Sequence, residues 1–221
     1  IISPTVIARA EGEKSKVYTE TMLMLAATAV FALLCLNNVI SLVDGIILLV
    51  TFGIILYIIY IRIGKEPGTR IAIHGNLDWG YTVGGLVAVI IGSQLVLDSA
   101  ITIATAFGIP SFVIGMSMVA VGTSLPELAT SLVAILKGDA GISAGNLLGS
   151  NIFNLLMVLG AGALIRPLAI PHLSDIIILV LFSLAVIPLI KGSPKVTRAW
   201  GGILLVAYFT YMVSLYAGVW G

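Results

Sequence analysis

Val121-Gly122-Thr123-Ser124-Leu125-Pro126-Glu127 puts a carboxylate in the middle of an otherwise apolar helical run. Helical spacing sets Thr123 and Glu127, at i and i+4, on one face, with Ser124 beside them. Pro126 has no N–H, so the carbonyl of Gly122 loses its helical partner, and Gly122 itself loosens the turn. The expected product is a bent helix offering one carboxylate, two hydroxyls and a freed carbonyl at mid-membrane depth. Hard cations such as Na+ and Ca2+ take oxygen ligands of these kinds. A carboxylate at the bilayer centre costs ~2.5–3.5 kcal/mol on insertion scales. No Lys or Arg falls within the expected membrane core, which argues against an internal ion pair. The competing reading of Glu127 is a carboxyl buried as the neutral acid.

The rest of the chain makes a membrane setting unavoidable. Of its 221 residues, 59% are hydrophobic and only 10% charged, with a mean hydropathy of +1.16. Soluble domains carry about 25% charge and about 45–50% apolar residues. A soluble globular enzyme and a disordered chain are both excluded. A net charge of +1 provides no basic face for nucleic acid. Cys35 is the sole cysteine, so neither an internal disulfide nor a thiolate metal cluster can form. His74 and His172 are too few for a three-histidine zinc site. The fold class is therefore an all-α polytopic membrane protein.

Charges punctuate the apolar runs Thr21–Val43, Gly45–Ile61, Gly80–Leu97, Ser99–Pro126, Ala140–Ile165, Ile176–Ile190 and Ala199–Gly221. A spanning helix needs about 20 residues. Splitting the middle at the breaker Gly108-Ile109-Pro110 predicts seven transmembrane helices, near 20–37, 41–62, 80–107, 111–137, 142–165, 174–191 and 198–219. Arg9, Lys14, Lys16, Arg62, Lys65, Arg70, Lys137, Lys191, Lys195 and Arg198 all fall on one side of that arrangement, against Arg166 alone on the other. The bias predicts a cytoplasmic N-terminal tail and an external C-terminus.

Two short stretches recur in the same order. Ile2-Ser3-Pro4-Thr5-Val6-Ile7 matches Ile165-Arg166-Pro167-Leu168-Ala169-Ile170, and Asp44-Gly45-Ile46-Ile47-Leu48-Leu49-Val50 matches Gly201-Gly202-Ile203-Leu204-Leu205-Val206-Ala207. The copies lie five helices apart, an odd number, so they have opposite orientations: the inverted repeat of secondary transporters. Three helices precede Ile165 and none precedes Ile2. The chain thus reads as the last seven helices of a ten-helix, five-plus-five fold. Residues 1–19 form a cytoplasmic tail or the end of the first repeat, 20–62 its last two helices, 63–79 a cytoplasmic linker, and 80–221 the second repeat.

Gly141-Ile142-Ser143-Ala144-Gly145-Asn146-Leu147-Leu148-Gly149-Ser150-Asn151-Ile152-Phe153-Asn154 is the second unusual stretch. Asn146, Ser150 and Asn154 recur every four residues and share a face that adds amide and hydroxyl oxygens. Gly141, Gly145 and Gly149 form a small-residue ridge suited to close packing against the fourth helix. Asn151 reads equally as a packing or capping residue. Gln94 and Asp98 share a face of the third helix; Asp98 is either a second acidic ligand or, as we favour, an interhelical hydrogen-bonding group. Asp44 and Asp175 lie near helix starts, where the dipole favours a carboxylate. Lys137-Gly138-Asp139 reads as a solvated turn, and Trp79, Tyr81 and Trp200 as an interfacial belt.

Gly122-Thr123-Ser124-Leu125-Pro126-Glu127 followed by Gly145-Asn146-Leu147-Leu148-Gly149-Ser150-Asn151-Ile152-Phe153-Asn154 resembles the alpha-repeat of the calcium/cation antiporter superfamily, closest to its sodium/calcium exchanger branch. Gly108-Ile109-Pro110-Ser111-Phe112-Val113-Ile114-Gly115 is similar too, and the resemblance is strong over about 80–170. It implies ten helices, two inverted repeats, alternating access and counter-transport of Na+ against Ca2+, with no cofactor. It further implies that Thr123, Ser124 and Glu127, with the Gly122 carbonyl, ligate the ion, together with Ser150 and Asn154. Asn146, Asn151 and Asp98 are secondary candidates. Some family members have Asp where this chain has Asn154, which alters the charge at the site. The first repeat's signature is missing, since Glu66-Pro67 has the reverse order in a charged loop. Upstream residues or a partner chain are expected to supply it.

The alternatives are a proton-coupled calcium or other divalent-cation exchanger, in which Glu127 carries the proton, and a non-transporting seven-helix scaffold. Intramembrane proteolysis lacks its groups: a single candidate aspartate, no His-Glu-x-x-His, and both histidines in loops where they cannot serve as the base of an intramembrane serine. The plasma membrane is the default location.

Overall fold

Helices run through the apolar stretches and stop where glycine, proline or a charged turn ends them. The computed structural model describes residues 11–63, 76–170, 172–191 and 194–216. The first repeat copy at Ile2–Ile7, Arg9, Lys65, Glu66-Pro67, Arg70 and His74 lie outside the described residues. Helix α1 (Glu11–Leu34) passes through a 3-10 turn (Cys35–Asn37) into strand β1 (Val39–Ile40), then α2 (Leu42–Ile63) and α3 (Asn76–Ala106). Next come α4 (Ser111–Ile114), a π-helical turn (Gly115–Val119), α5 (Ala120–Thr123) and α6 (Leu125–Leu136). Helix α7 (Ala140–Ile152) continues through a second π-helical turn (Phe153–Val158) into α8 (Leu159–Ile165). Strand β2 (Leu168–Ala169), α9 (Leu173–Leu184), α10 (Ile187–Lys191) and α11 (Pro194–Tyr216) complete the chain.

Among the described residues, five stretches are long and apolar enough to cross a membrane: Val17–Asn37, Leu42–Arg62, Trp79–Ala106, Gly141–Ile165 and Lys195–Ser214. The protein is an integral membrane protein. Of the seven spans read from sequence, two are interrupted, the fourth at the bend that its proline predicts and the sixth unexpectedly. The fourth is a bent pair, Ser117–Thr123 and Leu125–Leu136, whose axes meet at 48°. The sixth is a shorter apolar stretch, Leu173–Leu189, interrupted between α9 and α10. Proline explains both: Pro126 and Pro188 each withhold an N–H from the carbonyl four residues earlier.

The stops follow local chemistry. After α3, Gly108 takes φ +72°, with Gly108 N–H bonded to Thr105 O (3.0 Å) and Ile109 N–H to Ala104 O (3.1 Å). After α6, Gly138 takes φ +80°, with Gly138 N–H on Ile135 O (2.9 Å) and Asp139 N–H on Ala134 O (2.8 Å). Both are Schellman endings, which glycine adopts without a Cβ penalty. Lys137, Gly138 and Asp139 are exposed.

The chain divides into two compact units. One comprises α1, α2 and residues 134–204. There α1 packs on α7 and α9, and α2 on α8 and the second π turn. Met24, Ala27, Phe31, Leu48, Ile55, Leu148, Ile152 and Leu156 form its core. Gly45 and Gly160 bring α2 and α8 close: Cβ atoms built on them would meet Gly160 O at 2.9 Å and Gly45 O at 3.2 Å. Strands β1 and β2 pair antiparallel, Val39 opposite Ala169 and Ile40 opposite Leu168. Ser41 and Asp44 cap α2 reciprocally: Ser41 N–H and Oγ–H donate to Asp44 Oδ2 (2.8 and 2.7 Å), and Asp44 N–H donates to Ser41 Oγ (3.3 Å). Trp200 is half-buried rather than simply interfacial, and its indole N–H donates to Ala185 O (2.7 Å) at the break between α9 and α10.

The second unit comprises α3 through Val133 and the end of α11 from Leu205. Leu97 and Ala104 of α3 are buried, as are Val113, Ile114, Ser117 and Gly122. The rest of the α3 span is largely exposed, as suits a helix whose neighbours include lipid.

Candidate functional site

The break between α5 and α6 is built from its proline outward. Helix α5 ends at Thr123, and Ser124 adopts φ −93°, ψ 0°, outside the helical region. Its N–H turns back to Val121 O (3.1 Å), a tighter bond than the α-helical one. Pro126 then sits in the first turn of α6, where a missing N–H is tolerated. The sequence prediction of a bent helix here is met by the 48° angle.

Both hydroxyls at the break point their hydrogens backwards. Thr123 Oγ1–H lies between Val119 O (3.0 Å) and Ala120 O (3.2 Å), and Ser124 Oγ–H donates to Ala120 O (3.1 Å). A hydroxyl that has donated its hydrogen keeps its lone pairs for a cation. Thr123 and Ser124 are exposed. Glu127 lies in the first turn of α6, at the amino end of that helix. Glu127 is half-buried and its Oε2 is withdrawn from solvent. The carbonyl end of α5 and the amide end of α6 therefore meet at a turn carrying three oxygen-bearing side chains of the kinds expected.

Asp98 is exposed on α3 and accepts a hydrogen bond from Gln94 Nε2 on the same helix (2.9 Å). Its sequence neighbour Leu97 packs directly on Gly122. No sequence signal marked Leu97; Gly122 was the available clue, because a glycine in a buried helical turn leaves a notch for a neighbouring side chain.

In the other unit, Ser150 Oγ–H donates to Leu147 O (3.1 Å). Asn151 Nδ2 donates to the same carbonyl (3.0 Å), leaving its own Oδ1 as an acceptor. Asn146 and Ser150 are half-buried, whereas Asn151 and Asn154 are exposed. Asn154 sits in the second π-helical turn, beyond the end of regular α7. Single π turns occur often at functional sites, and periodicity alone did not reveal this one. Gly145 faces α1, where Glu20 Oε2 lies 3.7 Å from the position of a Cβ, and a Cβ at Gly149 would meet nothing within 4 Å. Among the described residues, no three of His, Cys, Asp and Glu gather as a metal cluster.

A family model described as sodium/calcium exchanger protein matches residues 77–217. The chain belongs to that family. It is similar to the putative antiporter CaxA of Alkalimonas amylolytica, 40% identical over 139 residues that cover 60% of this chain and 44% of CaxA. It is also similar to the membrane protein MJ0091 of Methanocaldococcus jannaschii, 34% identical over 97% of this chain and 68% of that protein. Among solved structures, the sodium-calcium exchanger NCX_Mj matches with a TM-score of 0.69 and 29% identity, covering 95% of this chain and 67% of that one. This exchanger-family chain thus spans about half to two thirds of the length of these relatives, and its resemblance to the superfamily extends from the motifs to the fold.

Proposed function

We propose that this chain carries the ion-ligating second repeat of a secondary antiporter that exchanges Na+ for Ca2+ by alternating access. The observation that carries this reading is the break at Ser124–Pro126. It sets Glu127 at a helix start and leaves the Thr123 and Ser124 hydroxyls with lone pairs outward. Ca2+ takes six to eight oxygens. The ligands proposed are Glu127, Thr123, Ser124 and the Gly122 carbonyl, with Ser150 and Asn154 contributing further oxygens and Asn146, Asn151 and Asp98 in secondary roles. Na+ and Ca2+ compete for these oxygens, and occupancy permits the switch of access. The remaining oxygens and neutralising charge come from a first inverted repeat, supplied by upstream residues or a partner chain. In this reading 80–221 is the second repeat, the N-terminal tail is cytoplasmic, and the protein resides in the plasma membrane. The names of MaX1, a sodium/calcium exchanger of Methanosarcina acetivorans 35% identical over 58% of this chain, and of NCX_Mj support sodium coupling over proton coupling.

Radiolabelled calcium uptake into sodium-loaded liposomes tests the proposal, with Glu127→Gln as the control. Sodium-dependent uptake that the control lacks is the expected result. Uptake driven by a pH gradient without sodium refutes sodium coupling. No uptake under either gradient, with the first repeat supplied, refutes the exchanger.

A further inference from the structure

We propose that Leu97 is a positioning residue for the ion-ligating break: a knob on α3 that fixes where the end of α5 sits and so sets the ion affinity of Thr123, Ser124 and Glu127 without touching an ion. The proposal rests on the reading of that break as an ion site.

The geometry at Gly122 is unusually close. A Cβ built there would lie 2.5 Å from Leu97 Cδ1 and 3.0 Å from both Leu97 Cβ and Leu97 Cγ. Rotation of the side chain can move Cδ1 aside, but Cβ is fixed by the α3 backbone. Leu97 therefore fills a notch that only glycine leaves open. Leu97 is 9% exposed, while its neighbours Val96 and Leu95 are 57% and 63% exposed. Together with Ala104, at 1%, it is one of the few residues of the α3 span withdrawn from the surroundings.

The ligand oxygens are tied to the same short helix. Gly122 is the penultimate residue of α5, and Thr123 is the last. The hydroxyls of Thr123 and Ser124 are bonded to carbonyls of Val119 and Ala120, within or just before α5. Any displacement of α5 carries these oxygens with it. Cation sites tolerate only small ligand displacements, and loss of a group that orients a ligand costs a metal site about 10–100-fold in affinity. Leu97 is placed to be such a group. Its neighbour Asp98 is hydrogen-bonded to Gln94 and faces outward, so the role falls to the packed leucine rather than to the acid.

The test measures calcium and sodium binding midpoints by calorimetric titration, on purified protein with the first repeat supplied, whose melting temperature without ions is recorded in parallel. The set is wild type, Leu97→Ala, Leu97→Met, Gly122→Ala and the double substitution Leu97→Ala with Gly122→Ala. Leu97→Ala is expected to raise the calcium midpoint about tenfold. Leu97→Met keeps the volume and should return the midpoint close to wild type. Gly122→Ala should weaken binding further, and the double variant should recover part of that loss, because Cδ1 and Cγ of Leu97 are then gone while the Cβ at 97 stays 3.0 Å from the new methyl group. A wild-type midpoint in Leu97→Ala overturns the proposal. So does a double variant no better than Gly122→Ala, which also decides the matter where Leu97→Ala fails to fold. Wild-type protein that binds ions but does not exchange them refutes the exchanger alone and leaves the midpoints readable. Wild-type protein that binds neither ion overturns both.

Discussion

Replacing Gly45 by alanine should destabilise the protein by about 1–3 kcal/mol, although the same change improves intrinsic helix preference. A Cβ at Gly45 falls 2.9 Å from Ala163 Cβ and 2.9 Å from Gly160 O. Neither neighbour can rotate away, since one is a Cβ and the other a backbone oxygen. Comfortable carbon contacts are ~3.5–4.0 Å, so α2 and α8 must part by roughly 0.6–1 Å. A gap of that size forfeits about a quarter to a half of each dispersion well, and a buried leucine makes ~40–60 contacts of ~0.1–0.2 kcal/mol each. Leu48, with no exposure, lies at this contact. If about half its contacts face α8, its loss alone is roughly 0.5–3 kcal/mol. Leu49, 3.1 Å from the Cβ position of Gly160, adds to it. Alanine's helix preference returns about 1 kcal/mol. Lipid offers no hydrophobic compensation, because helices in a bilayer associate through packing of this kind. Gly53 on the same helix is the control, since a Cβ there meets nothing within 4 Å. Reversible unfolding in mixed micelles with increasing dodecyl sulfate measures both. Gly45→Ala should unfold at a clearly lower detergent fraction than wild type, and Gly53→Ala should not. Equal stability of the two variants would refute the packing argument. Adding Ala163→Gly to Gly45→Ala should restore only part of the loss, because Gly160 O remains in the way.

Asp44→Ala removes the acceptor for both Ser41 donors and should cost about 1 kcal/mol by the same unfolding assay, the usual value of an N-terminal cap. Trp200→Phe keeps the aromatic bulk but leaves Ala185 O without its indole donor; a loss of about 1–3 kcal/mol is expected, and an unchanged unfolding curve would show that another donor takes over.

The ends of helices were legible because they depend on neighbours in sequence. Gly108-Ile109-Pro110 and Lys137-Gly138-Asp139 contain the residues that a left-handed turn and a stop require, and the chain turns at both. Pro126 foretold the bend at Ser124 for the same reason, since a missing N–H acts within one turn of its own helix. Pro188 carried the same signal in α10, and the sequence reading passed over it in favour of an unbroken sixth span. The candidate ligands at 122–127 were therefore legible down to their local geometry. The π turn that holds Asn154 was not, because α- and π-helical turns draw on the same residues.

By itself the sequence determined the membrane setting, the helical class, the family motifs and the broken helix around Glu127, all properties of composition or of contacts within a few residues. Tertiary structure alone decided which glycines matter. Gly45, Gly122 and Gly160 each leave a notch filled by a residue far along the chain, while Gly53, Gly149 and Gly202 leave nothing within 4 Å. It also decided that residues 39–40 pair with 168–169 and that Trp200 satisfies Ala185 O. The physical reason is common to these cases. A glycine, a short extended turn and an indole look alike wherever they occur, and the partner that gives each its role is brought there only by the packing of helices.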